Sequence, residues 1–123
     1  MTLKQTRLVT TDLANLTRFY ETVSQSKAEI LNTSYVQFQS AACKGLAIVE
    51  LASTRAYGEG VAESGANRSV ILDFEVDNVD AEYERLQESV SDWVMAPKVM
   101  PWGARAIVFR DPDGNLVNMY SHP

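Results

Sequence analysis

Three features of the sequence predict an α+β fold built from two βαβββ modules. The order strand, helix, three strands occurs twice, over about residues 1–52 and about 69–123. Between them, residues 53–68 lose all periodicity and hold Gly58, Gly60 and Gly65, which marks a flexible connection. Asp111-Pro112-Asp113-Gly114, with apolar runs on either side, reads as a hairpin turn. A module of this kind leaves one sheet face unburied, and two modules stabilise each other by packing such faces together. The expected form is a single domain in which a curved mixed sheet surrounds a central cleft, with the helices outside.

Residues Leu3 to Thr10 read as the first strand, and Asp12 supplies an N-cap carboxylate for the helix that follows. Leu13, Leu16, Tyr20 and Val23 recur at helical spacing and form its buried stripe. Strands are predicted at Ala28–Leu31, Tyr35–Gln39 and Leu46–Leu51. In the second half, Val70–Val76 alternates as a strand and Asn78 occupies the place that Asp12 held. Val79, Tyr83, Leu86 and Val90 then form a second helical stripe. Trp93–Met95 is a short strand, Pro97–Gly103 a loop, and the hairpin completes the module. With Phe109 opposite Leu116, Ile107 faces Asn118 and Arg105 faces Tyr120. One sheet face would then carry an arginine, an amide and a phenol, as the wall of a binding cavity requires.

Composition narrows the function classes. The chain has 123 residues, 46% of them hydrophobic, enough for one proper core. A net charge of −5 argues against a nucleic-acid partner, which needs a basic surface. Cys43 is the one cysteine, so no internal disulfide forms, and a reducing compartment is the natural reading. No run approaches membrane-spanning length and residues 1–9 lack a signal-peptide pattern, so a soluble cytoplasmic protein is expected. The single histidine, His122, is the penultimate residue, which disfavours a histidine-based metal site.

Glu50 is the sharpest catalytic candidate. It is the one charged residue in an apolar strand, placed by alternation beside Leu46 and Ile48. Carboxylates in such surroundings are paired or used: here as a general base, or in a salt bridge to Arg7 or Arg105. Both arginines are candidates for gripping a carboxylate, phosphate or enolate oxygen, with Asp73 or Glu75 as competing partners. Arg105 is expected to face the ligand. Tyr35, Trp102 and Tyr120 offer flat walls, Trp102 from a loop at the cleft mouth. Asn118 would orient a polar group of the ligand or hydrogen-bond to the backbone. There is no nucleophile–base pair, no phosphate-cradling glycine motif and no cofactor fingerprint.

The whole chain resembles the vicinal oxygen chelate superfamily, which includes glyoxalase I, methylmalonyl-CoA epimerase, extradiol dioxygenases and the fosfomycin and bleomycin resistance proteins. The matching pieces are Gln5-Thr6-Arg7-Leu8, Asp12-Leu13 with Phe19-Tyr20, Ile48-Val49-Glu50-Leu51, and Phe109-Arg110-Asp111-Pro112-Asp113-Gly114-Asn115. Pro101-Trp102-Gly103 is similar to the small resistance-protein-like members. The resemblance implies a homodimer and, in metal-dependent members, four ligand positions that fall here on Gln5, Glu50, Ile71 and Asn118. Ile71 has no donor atom and Asn118 offers only a neutral carbonyl, so no physiological metal is expected. The implied function is binding of a small organic ligand, in sequestration or resistance. A metal-dependent glyoxalase-like lyase or isomerase, or a cofactor-free isomerase with Glu50 as base, is the alternative.

Overall fold

The computed structural model describes residues 1–123, which fall into two compact units, Met1–Ala66 and Asn67–Pro123. Each unit has the order strand, helix, three strands, and its strands form one mixed four-stranded sheet. The α+β class and the two βαβββ modules expected from the sequence are both present.

In the first unit, β1 (Thr6–Thr10) leads to α1 (Leu13–Ser24), β2 (Glu29–Asn32), β3 (Tyr35–Gln37) and β4 (Leu46–Glu50). The sheet order is β1-β4-β3-β2, with β1 parallel to β4 and the other pairs antiparallel. Asp12 caps α1 as predicted: its Oδ1 accepts from the Asn15 N–H at 3.2 Å. Leu16, Phe19, Tyr20 and Val23 form the buried face of α1, which packs on β4. The facing side of the sheet supplies Leu8, Val36, Leu46 and Ile48, all buried. Each such side chain contributes about 1.5–3 kcal/mol on leaving water, which dominates the hold of helix on sheet. Helix α1 stops at Gln25, whose φ of 53° is left-handed, while Ser26 N–H bonds back to the Glu21 carbonyl at 3.2 Å. The connection predicted to be irregular begins instead with a 3-10 helix, Leu51–Ala56, closed by Thr54 Oγ1 donating to the Leu51 carbonyl at 2.7 Å.

In the second unit, β5 (Ile71–Glu75) leads to α2 (Val79–Arg85), β6 (Asp92–Val99), β7 (Arg105–Arg110) and β8 (Leu116–Ser121), in the order β5-β8-β7-β6. Asn78 caps α2 by accepting from the Ala81 N–H at 3.0 Å. Helix α2 is shorter than its stripe, yet Leu86 and Val90 remain buried because turns carry the chain onward, Val90 N–H to the Leu86 carbonyl at 3.0 Å. Ile107, Phe109, Val117 and Met119 face α2 and are essentially sealed. Tyr83 of α2, Trp93 of β6 and Phe109 of β7 stack edge-to-face in series, with centroids 4.7 and 5.3 Å apart.

The second unit departs from the sequence expectation in two places. Strand β6 runs through Pro97 instead of ending at Met95. It is an edge strand with register shifts on either side of Met95, so a missing N–H costs no ladder bond that a central strand would need. The hairpin register is the other. Phe109 pairs with Val117 and Val108 with Asn118, one residue from the expected pairing. The cause is the turn. Asp111 Oδ1 accepts from the N–H groups of Asp113 and Asn115, both at 2.9 Å, and its Oδ2 accepts from Asn115 Nδ2 at 2.8 Å. With Gly114 at φ 89°, these bonds close a loop over Asp111–Asn115 and bring Arg110 opposite Leu116. A one-residue slip moves every side chain to the other face.

Candidate functional site

The sheet of the first unit has a second face, away from α1. Register and alternation place Arg7 and Val9 of β1, Ala47 and Val49 of β4, and Tyr35 and Gln37 of β3 on it. Strand β4 lies between β1 and β3 and contributes only short side chains there, so long ones from its neighbours meet above it. Gln5 Nε2 donates to the Tyr35 hydroxyl. Arg7 Nη2 donates to the Tyr57 hydroxyl at 2.9 Å. The Arg7 guanidinium carbon lies 5.5 Å from the centre of the Tyr57 ring and 6.0 Å from that of Tyr35, within cation–π range. Arg7 and Tyr57 are exposed, and Gln5 and Tyr35 half-buried. Arg7 makes no ion pair.

Glu50 is on the opposite face. It pairs with Thr10 in the parallel ladder, on the side of Leu8 and Ile48, and its Oε1 accepts from the Leu13 N–H at 3.1 Å. Neither expected salt bridge, to Arg7 or to Arg105, forms. The carboxylate answers one of the free N–H groups at the start of α1, where negative charge also suits the helix dipole.

In the second unit the face away from α2 carries Ile71, Asp73 and Glu75 of β5 with Asn118 and Tyr120 of β8. Asn118 Nδ2 donates to Asp73 Oδ1 at 2.9 Å across the strand pair. Tyr120 is half-buried and meets the His122 ring edge-on at 5.5 Å. Arg105 does not join them. Its pairing with Ser121 turns it to the α2 side, where Nε and Nη2 grip Asp80 Oδ2 and Oδ1 at 2.7 and 2.8 Å. That fork holds the Asp80 carboxyl below its ordinary value and the Arg105 guanidinium above its own. The expected partners of an arginine here, Asp73 and Glu75, lie on the other face. Trp102 sits at the tip of the β6–β7 turn, where Gly103 N–H bonds the Met100 carbonyl at 2.9 Å, and is 77% exposed.

The structure therefore assembles Gln5, Arg7 and Tyr35, and separately Asn118 and Tyr120. It leaves Glu50 and Arg105 on the helix sides of their sheets. Sequence reasoning missed Tyr57, which follows the 3-10 helix in the stretch without periodicity; a lone aromatic before Gly58 was its only mark.

A sequence profile of the Glyoxalase-like domain matches residues 3–122. The chain belongs to the glyoxalase-like domain family, within the vicinal oxygen chelate superfamily. This glyoxalase-like chain is 30% identical to the uncharacterized protein YraH of Bacillus subtilis strain 168, over 98% of each chain. Among solved structures, a glyoxalase/bleomycin resistance protein/dioxygenase from Nocardioides is 26% identical, with a TM-score of 0.79 over 99% of this chain and 83% of that one. A glyoxalase/bleomycin resistance protein/dioxygenase family enzyme from Burkholderia phytofirmans PsJN shares the fold, with a TM-score of 0.86 at 15% identity over 100% of both chains.

The donor set of this glyoxalase-like chain does not fit a divalent ion at the family's four positions. Gln5 is bonded to Tyr35 and Glu50 to Leu13. Ile71 has no lone pair, and the Asn118 amide is turned to donate to Asp73. No group of three or more His, Cys, Asp or Glu side chains is arranged to hold a metal. Hard divalent ions want several anionic oxygens, and of these four side chains only Glu50 is anionic.

Proposed function

We propose that this glyoxalase-like protein binds a small organic ligand on the sheet face that carries Gln5, Arg7, Tyr35 and Tyr57, with no metal taking part. One observation carries the reading: Arg7, an exposed cation, is held in place by phenol and aromatic partners and not neutralised by a carboxylate. A guanidinium fixed in orientation with N–H groups to spare is poised to bind. None of the four residues of the cluster is a carboxylate, histidine or thiol, and the acid on the same face, Glu29 of the edge strand β2, accepts from Gln37 at 3.3 Å, an arrangement that favours binding over turnover. A role in sequestration or resistance accords with that, and bleomycin resistance is one of the three activities that the name of the Nocardioides relative joins.

Thermal-shift screening against thiol adducts, acyl-CoA esters, antibiotics and simple organic acids tests this, because a ligand of the native state alone raises its melting point. A hit is expected in the wild-type chain and none in Arg7→Ala, with the melting point of the free protein little changed. Stoichiometric nickel, zinc or manganese in protein purified without chelator, with an activity lost in EDTA, overturns the proposal in favour of a metal-dependent lyase or isomerase.

A further inference from the structure

We infer that the ligand of this face is an organic oxyanion, a carboxylate or phosphonate, and not a cation or a neutral molecule; the inference rests on the small-ligand reading above. Hydrogen-bond direction carries it. Gln5 Nε2 donates to the Tyr35 oxygen and Arg7 Nη2 donates to the Tyr57 oxygen. Arginine can only donate, so the Tyr57 phenol accepts from within the cluster and keeps its own proton to give outward. An O–H that is itself receiving a hydrogen bond is a stronger donor. Of the guanidinium's five N–H donors, one goes to Tyr57 and the rest remain. Phenol protons and guanidinium N–H groups thus gather on one patch, where they outnumber the two uncommitted side-chain carbonyls, Gln5 Oε1 and Gln37 Oε1. Such a patch matches a ligand made of acceptors.

Charge and aromatic geometry exclude the opposite class. Two tyrosine rings would make a seat for a quaternary or primary ammonium, but Arg7 already lies against both, at 5.5 and 6.0 Å. A cationic ligand would have to displace the chain's own cation. The other arginines with charged partners show the contrast: Arg85 is paired with Glu82 and Arg105 with Asp80, and neither has positive charge to offer. Arg7 has no such partner, and its planar fork suits the paired oxygens of a carboxylate or phosphonate.

The test titrates the intact chain with benzoate, methylphosphonate, benzyl alcohol and benzyltrimethylammonium, read by calorimetry and by the side-chain NMR signals of Arg7, Tyr35 and Tyr57. Both anions are expected to move those signals and saturate, with benzyl alcohol weaker by about tenfold or more, the equivalent of about 1.4 kcal/mol. Arg7→Gln is expected to erase that preference, and Tyr57→Phe, which keeps the ring, to weaken anion binding several-fold. Benzoate ahead of methylphosphonate assigns a carboxylate, and the reverse a phosphonate; either supports the oxyanion. Tighter binding of benzyl alcohol or benzyltrimethylammonium at these residues overturns the oxyanion while leaving a small-ligand site. If none of the four probes moves the three signals, both readings fall.

Discussion

The Glu50 carboxylate ends on the Leu13 backbone, Oε1 to N at 3.1 Å, tying the last residue of β4 to the first turn of α1. An acidic residue in an apolar strand invites a catalytic reading, and this bond gives it a structural one. Replacement by glutamine keeps an acceptor oxygen, so Glu50→Gln is expected to leave chemical denaturation nearly unchanged. Glu50→Ala leaves the N–H without that partner and is expected to cost about 1 kcal/mol, the usual loss for a helix-start acceptor. Neither variant is expected to weaken ligand binding at Arg7. A Glu50→Gln protein that folds normally and binds ligand but loses a measurable turnover would restore Glu50 as a base.

Asp111 holds the β7–β8 loop through three accepted bonds, to Asp113 N, Asn115 N and Asn115 Nδ2, and is 4% exposed. Removing the carboxylate orphans those donors in a site with little water. Hydrogen bonds to a charged group are the stronger kind, and the loss in Asp111→Ala is expected to be about 2–4 kcal/mol by equilibrium denaturation. Asp111→Asn, which keeps one acceptor oxygen, should fall between the two. A loss in Asp111→Ala under about 0.5 kcal/mol, the scale of an ordinary surface change, would deny the loop its place in setting the register.

How far the sequence reveals this protein depends on whether local chemistry or tertiary pairing decides the feature. Helix starts were legible because Asp12 and Asn78 cap by contacts within three residues. The two-module plan was legible because burial imposes its period on Leu16, Tyr20 and Val23 as on Leu72 and Phe74. The faces of the last hairpin were not. Their parity turns on whether the loop closes at Asp111 or a residue away, and that is settled by side-chain bonds inside the turn. Alternation alone puts Arg105 and Tyr120 together, and the observed register sets them on opposite sides of the sheet. The Arg7–Tyr57 contact joins residues 50 apart across a segment without periodicity, and no local pattern encodes such a meeting.

Asp80 and Arg105 provide a pH handle on the second unit. The fork keeps the Asp80 carboxyl below its ordinary 3.8, so its contribution is fully present above that value and is lost as the pH falls through the lower folded-state value. The expected outcome is an Asp80 side-chain NMR titration with a midpoint below 3.8 in the wild type, rising toward 3.8 in Arg105→Ala. Both groups are at the surface, so added salt should narrow the difference. An unchanged Asp80 midpoint in Arg105→Ala would show that the fork does not persist in solution.

Cys43 should be nearly inert in the folded chain. It is 6% exposed, and burial pushes its thiol up to about 11, with the neighbouring Ser24 hydroxyl acting the other way to a smaller extent. Only the thiolate attacks disulfide reagents, and at neutral pH almost none is present. Reaction with a chromogenic disulfide is expected to be slower than that of free cysteine by orders of magnitude, rising to the free rate in denaturant. Its rate in native buffer should then report opening of the first unit, because the thiol must leave the core before it can react. Destabilising α1 through Glu50→Ala should accelerate it in proportion to the lost stability. Labelling in native buffer as fast as in denaturant would mean that Cys43 is not held in the core.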